Sequence, residues 1–200
     1  MRRLPLTLAA IGIIALLVAF VSALVLYRDA SSALVGTDLN RTPAPPFQLT
    51  DQHGQPVSLA QFRGQPALVT FLYTHCPDTC PLIADQVHAA LTQLGVDASK
   101  VGVLAISTDP SGDTRAAATD FVHTHNLDGQ MHYLLGSPAD LQPVWKDYYI
   151  GVSPDTTTPG DVVHSEAVFV LDKAGNERVL LGVPFRAEDL AGDLRKLLKE

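Results

Sequence analysis

One stretch of the sequence contains both of its cysteines: residues 69–86, VTFLYTHCPDTCPLIADQ, with Cys76 and Cys80 near its centre. Its first residues, Val69 to Tyr73, are β-branched, aromatic or apolar, which is typical of a strand buried on both faces. Two prolines mark the turn that follows. Apolar residues then recur every three or four positions, which predicts a helix beginning near Pro81. The two sulfurs are therefore expected where a strand passes into a helix.

That junction favours reactive thiols, because the free N–H groups and the dipole of a helix N-terminus stabilise thiolate. Three residues separate Cys76 from Cys80, which places their Cα atoms about 6 Å apart if the segment is helical. Such a pair can close a disulfide or bind one soft metal ion. Asp78, between them, acts against thiolate by repelling a second negative charge. A purely structural disulfide is the alternative, but so short a loop contributes little stability.

The size and charge of the chain limit its function. Its 200 residues suffice for one domain of ordinary size. The formal net charge is −7, and three of the basic residues, Arg2, Arg3 and Arg28, lie in the N-terminal segment. The rest of the chain is therefore more acidic still, and we do not expect nucleic acid as a partner.

The N-terminal segment indicates a membrane. Leu6 to Leu26 contains no charged residue, and about 20 apolar residues suffice to cross a bilayer. Because Arg2 and Arg3 precede this run, the positive-inside rule predicts an N-terminus in the cytoplasm and the bulk of the protein outside. We expect a single-pass anchor in a bacterial inner membrane, with the domain facing the periplasm. A signal peptide cleaved after Val21-Ser22-Ala23 is the alternative. The cysteines would then face an oxidising compartment and need a thiol reductant or a metal to protect them.

We predict three parts: a membrane anchor over residues 1–28, a flexible linker over 29–46, rich in Ser, Thr and Pro, and one domain over 47–200. The domain alternates strands with helices, and Asp113 is expected to cap one of the helices. The predicted strands are Phe47–Thr50, Pro56–Leu59, Ala67–Tyr73, Val101–Ser107, Met131–Leu135, Ala167–Leu171 and Glu177–Leu181. The predicted helices run from Pro81 to Leu94, after Asp113 to His125, from Ala139 to Tyr149 and from Ala187 to Lys199. This pattern indicates an α/β fold with a mixed central sheet flanked by helices, thioredoxin-like in its cysteine placement.

Two thiolates alone make a poor site for most metals, so a third ligand matters. His164 is the best candidate, because it lies between a long polar loop and the next strand, at the end of the sheet where the cysteine turn is expected. An ordinary hydrogen-bonded loop histidine is the alternative. Two sulfurs and one imidazole suit Cu(I), whereas structural zinc normally takes a fourth ligand, here Asp78 or His75.

Three segments resemble the SCO/SenC family of membrane-tethered copper chaperones: Tyr73–Pro81 (YTHCPDTCP), Ser107–Thr114 (STDPSGDT) and Val162–Asn176 (VVHSEAVFVLDKAGN). The resemblance extends over nearly all of residues 44–200. It implies a thioredoxin fold in which Cys76, Cys80 and His164 bind a copper ion for the dinuclear copper centre of cytochrome c oxidase subunit II. It also implies thiol-disulfide exchange on the cysteines of that subunit.

This chain differs from the family pattern before the histidine. The family commonly has an acidic residue there, and this chain has Val163. A partner that orients the ring would have to come from elsewhere, and Asp161 is the candidate. Asp109 and Asp113 match the acidic loop of the family.

Two functions remain open. In the first, the protein delivers copper and is not an enzyme. In the second, it is a thiol-disulfide oxidoreductase that reduces a disulfide of the acceptor, with one cysteine attacking and the other resolving. A dithiol reductase of this fold usually has two residues between its cysteines and a proline facing them. The spacing of three, and His164 at the expected proline position, favour copper delivery.

Overall fold

The computed structural model describes residues 11–23, 33–154, 156 and 162–200. The chain divides into two units, Met1–Ala33 and Leu34–Glu200. In the first unit, residues 11–23 are helical. None of the helices in these described ranges combines the length and apolar character that crossing a bilayer requires. Parts of the predicted run from Leu6 to Leu26, and of the predicted anchor over residues 1–28, lie outside the described residues.

The second unit is built on an eight-stranded sheet. Its strands are β1 (Thr37–Pro43), β2 (Gln48–Asp51), β3 (Pro56–Ser58), β4 (Ala67–Leu72), β5 (Gly102–Ser107), β6 (Met131–Leu135), β9 (Val168–Leu171) and β10 (Asn176–Leu181). A separate two-stranded hairpin pairs β7 (Val152–Pro154) with β8 (Val162–His164). The large sheet has the order β1-β10-β9-β4-β5-β6-β2-β3. Only the central β4-β5-β6 pairs are parallel, so the predicted mixed sheet is confirmed.

Four helices cover the two faces of this sheet: α1 (Thr79–Leu94), α2 (Arg115–Thr124), α3 (Pro138–Asp147) and α4 (Ala187–Leu197). Every residue of β4 is buried, because alternate side chains enter different cores. Leu68 and Leu72 pack with α1, α2 and α4. Val69 and Phe71 pack with α3 on the opposite face. A central sheet between helical layers confirms the predicted α/β fold class.

The prediction of a flexible linker over residues 29–46 is wrong for its second half. Thr37–Pro43 forms β1, which pairs antiparallel with β10 at the edge of the sheet. Almost all of its side chains are exposed, so the strand is held by backbone pairing and has no apolar alternation that a sequence pattern could show. The folded unit therefore begins about a dozen residues before the predicted boundary at residue 47.

Candidate metal centre

The two cysteines lie where β4 passes into α1. Cys76 is in the turn and half-buried, Cys80 is the second residue of the helix and buried, and both are free thiols. The helix begins at Thr79, two residues before the predicted start, with Asp78 as its N-cap accepting a hydrogen bond from the Thr79 N–H. The Cys80 N–H donates to Cys76 Sγ at 3.3 Å. The sulfur of Cys76 therefore occupies the position of an anion bound at a helix N-terminus.

The two thiols differ sharply in acidity. A hydrogen bond from the Cys80 side chain lowers the pKa of Cys76 to about 5, against the opposing effect of burial. The backbone N–H groups of Cys80 and Asp78, and a hydrogen bond from the Tyr73 side chain, lower it further. The same Cys76–Cys80 hydrogen bond, together with burial, raises the pKa of Cys80 well above the ordinary range. The pair therefore holds one proton at neutral pH, on the buried sulfur.

Asp78 acts on Cys76 through two groups with opposite effects. We expected its carboxylate to oppose thiolate formation, but its backbone N–H contributes to the low pKa of Cys76. Its carboxylate is bound to the backbone and hydroxyl of Thr79. The same carboxylate oxygen, Oδ1, lies 4.0 Å from Cys76 Sγ. The turn thus offers the sulfur a backbone donor and also places a carboxylate beside it, as the sequence suggested.

His164 reaches this turn from the far end of β8. Its Nε2 lies 3.7 Å from Cys80 Sγ, and its Nδ1 lies 3.0 Å from the carbonyl oxygen of Ser165. Since a carbonyl oxygen only accepts, Nδ1 carries a proton, and in the neutral ring the lone pair of Nε2 faces the sulfur. This is the tautomer that binds a metal through Nε2, with the backbone carbonyl fixing the ring.

The spacing of these two atoms suits a shared ion. Bonds of about 2.3 Å to sulfur and about 2.0 Å to nitrogen, at roughly 120°, separate the two ligand atoms by about 3.7 Å. Within the described ranges, however, no group of three or more His, Cys, Asp or Glu side chains is already arranged to hold a metal ion. Cys80 contacts both Cys76 and His164, so binding by all three requires an adjustment of the more exposed Cys76 turn.

Asp113 supports the cysteine turn and is not the helix cap that we expected. The cap of α2 is Thr114, whose side chain accepts from the Ala117 N–H. Asp113 is buried, and its carboxylate accepts from the Thr74 N–H at 2.7 Å, Ser107 Oγ at 2.6 Å and Tyr133 Oη at 3.2 Å.

Burial raises the pKa of Asp113, and its charge contributes to the raised pKa of Cys80. The sequence contains this residue in a recognisable motif, but it does not tell which way the side chain turns.

The remaining candidates take no direct part in the contacts among the thiols and His164. His75 is exposed, and its Nδ1 lies 3.0 Å from Thr74 Oγ1. Asp109 is buried and accepts from the Ser111 N–H. Val163, at the position where the family has an acidic residue, is 56% exposed. Asp161, the candidate substitute, lies outside the described residues.

The chain is similar to known proteins of one family. A family model described as SCO1/SenC matches residues 36–199. The chain is similar to the mitochondrial SCO2 homologue of Mus musculus, at 30% identity over 155 residues, covering 75% of this chain and 60% of that protein. The chain therefore spans about three fifths of the length of that relative.

Two solved structures extend the comparison. The copper-bound structure of Bradyrhizobium japonicum ScoI is 33% identical to this chain, with a TM-score of 0.71. The match covers 78% of this chain and 100% of the ScoI chain. BsSco, described as having a disulfide switch and as a member of the Sco family of cytochrome c oxidase assembly proteins, is 20% identical. Its TM-score is 0.66, and the match covers 83% of this chain and 98% of the BsSco chain. At that identity the second structure supports the fold alone.

Proposed function

This chain belongs to the SCO1/SenC family, and on that premise we propose that it binds copper through Cys76, Cys80 and His164 and delivers it to cytochrome c oxidase. The observation that carries the proposal is the 3.7 Å separation of Cys80 Sγ and His164 Nε2. The copper-bound relative from Bradyrhizobium japonicum supports copper as the metal. The acceptor we propose is the dinuclear copper centre of subunit II.

The ligand chemistry favours copper over zinc. Thiolates are soft donors, imidazole also suits copper, and Cu(I) accepts such a set with low coordination. Zinc in a structural site normally takes four ligands. Because the pKa of Cys76 is lowered to about 5, a metal arriving at neutral pH displaces only the proton of Cys80.

Differences in exposure suggest how copper leaves. Cys76 and His164 are both partly exposed, whereas Cys80 is buried. An acceptor with thiolate and imidazole ligands can replace the exposed ligands first, while Cys80 holds the ion until last. Transfer by stepwise ligand exchange keeps copper bound throughout.

We also propose that residues 1–28 tether the domain to a bacterial inner membrane, with the domain in the periplasm. The support is the uncharged run from Leu6 to Leu26 preceded by Arg2 and Arg3. In that compartment the cysteines oxidise readily, so a thiol reductant is a further partner.

A second function, disulfide reduction, is favoured by the unequal acidity of the thiols. The Cys76 thiolate attacks the disulfide of an acceptor, forms a mixed disulfide and releases one acceptor thiolate. Cys80 gives its proton to the acceptor thiolate released first and then attacks Cys76 Sγ, which closes the Cys76–Cys80 disulfide and releases the second thiolate. The two cysteines supply both electrons, and His164 takes no part.

Replacing His164 by Ala separates the two functions. We expect the reduced H164A domain to bind Cu(I) at least tenfold more weakly in competition with a chelator, since a ligand is lost. The rate at which it reduces an oxidised dithiol peptide should be unchanged. H53A, at an exposed histidine outside the site, is the matched control. Unchanged copper affinity in H164A would show that the imidazole is not a copper ligand. Disulfide reduction would then be the function that the site supports.

A further inference from the structure

Tyr73 contacts both halves of the proposed copper site. It follows the last residue of β4, directly before the cysteine turn, and is only 5% exposed. Its ring packs edge-on against the ring of His164, with centroids 5.6 Å apart and an interplanar angle of 86°. Its side chain also makes a hydrogen bond to Cys76. The side chain of Tyr73 therefore contacts one of the two thiols and the imidazole.

We propose that Tyr73 is a positioning residue of the copper site, which fixes the imidazole of His164 with its ring and the sulfur of Cys76 with its hydroxyl. The proposal rests on the proposed copper-binding function. Cys76 and His164 come from elements far apart in sequence. A rigid side chain in contact with both reduces the freedom of movement that copper binding would otherwise have to remove.

The backbone of Tyr73 makes this support rigid. Its carbonyl oxygen accepts a hydrogen bond from the Cys76 N–H at 3.3 Å, so the residue is tied to the turn at two points. On its other side the chain continues into β4, the fully buried central strand. The backbone of Tyr73 is therefore held on both sides, by the strand before it and by the turn after it.

The hydroxyl also has an electronic effect. A hydrogen bond to a thiolate sulfur withdraws electron density from it, and such bonds tune copper–thiolate sites. Phenylalanine at position 73 would keep the ring and its contact with His164 but remove this donor. The variant Y73F thus isolates the hydroxyl, and Y73L removes the ring as well.

The matched control is Y148F. Tyr148 is also buried, packs against Phe71, and donates from its hydroxyl to the carbonyl oxygen of Pro45 at 3.1 Å. Replacing it removes one buried hydroxyl and its hydrogen bond outside the proposed site. A general effect of losing a tyrosine hydroxyl would appear in both variants.

The experiment measures Cu(I) affinity by chelator competition and the sulfur-to-copper charge-transfer band of the Cu(II) form, for wild type, Y73F, Y73L and Y148F. We expect Y73F to bind Cu(I) about tenfold more weakly, because the sulfur of Cys76 is no longer held in position. The charge-transfer band of Y73F should lie at longer wavelength, because a thiolate without this hydrogen bond donates more electron density to copper. Y73L should lose about a further tenfold, since His164 is no longer held. Y148F should match wild type in both measurements.

Y73F with the affinity and band of wild type would overturn the role of Tyr73 while leaving copper binding intact. The same holds if Y148F changes as much as Y73F. A wild-type chain that fails to bind copper would instead refute the proposed function. A thermal melt of each metal-free variant shows whether Y73L has folded. If Y73L has not folded, the result for Y73F alone decides whether Tyr73 positions the copper site.

Discussion

Cys80 Sγ and His164 Nε2 lie 3.7 Å apart although 84 positions separate them in the chain. The sheet explains how they meet. β9 pairs antiparallel with β4, with Thr70 opposite Val168. The turn that leaves β4 and the segment that enters β9 therefore lie at the same end of the sheet. The first carries the cysteines and the second carries the histidine.

Cys76 should react selectively in the native, reduced protein. Its pKa is lowered to about 5, and the thiolate is the reactive form. We expect iodoacetamide to label Cys76 at a rate that levels off above about pH 6, as followed by peptide mass analysis, while buried Cys80 stays unlabelled. In the unfolded chain both should react alike. A native labelling profile with its midpoint near 9 would contradict this assignment.

The position of the thiols could be predicted from sequence, because a continuous apolar strand, two prolines and a helical repeat are local signals. His164 could be predicted too, since strand order places its junction at the same end of the sheet. The roles of Asp113 and Tyr73 could not, because they depend on the direction of a side chain in three dimensions. β1 was missed because its residues Thr37–Pro43 show no apolar alternation and are held by pairing to a distant strand.

The stability of the reduced, metal-free domain should depend on pH in a defined sense. The pKa of Cys76 falls from the ordinary 9.0 to about 5 on folding, so its stabilising contribution is present above pH 9 and is lost as pH falls towards 5. The pKa of Cys80 is raised on folding. Its contribution to stability is therefore lost as the pH rises above the pKa of the thiol in the unfolded chain.

Urea unfolding under reductant should therefore show stability rising from pH 5 towards 9 and falling beyond it. The variant C76S should lack most of the rise, because serine does not ionise in this range. An identical pH profile for wild type and C76S would contradict the stabilised thiolate.

Replacing Asp113 by Ala should destabilise the domain more than the loss of an exposed carboxylate does. Three donors, from Thr74, Ser107 and Tyr133, would lose their acceptor in a buried place. We expect the free energy of unfolding to fall by about 3 kcal/mol. The control is D97A, which removes an exposed ion pair with Lys100 and should cost less than about 1 kcal/mol. Equal losses in the two variants would show that the Asp113 network contributes nothing special.

In the proposed site, two sulfurs and one imidazole join around a single copper ion. Copper X-ray absorption on the reduced domain loaded with one equivalent of Cu(I) tests it most directly. We expect two sulfur neighbours at about 2.3 Å and one nitrogen neighbour at about 2.0 Å, with the nitrogen lost in H164A. A spectrum with sulfur neighbours alone, unchanged by H164A, would contradict the account.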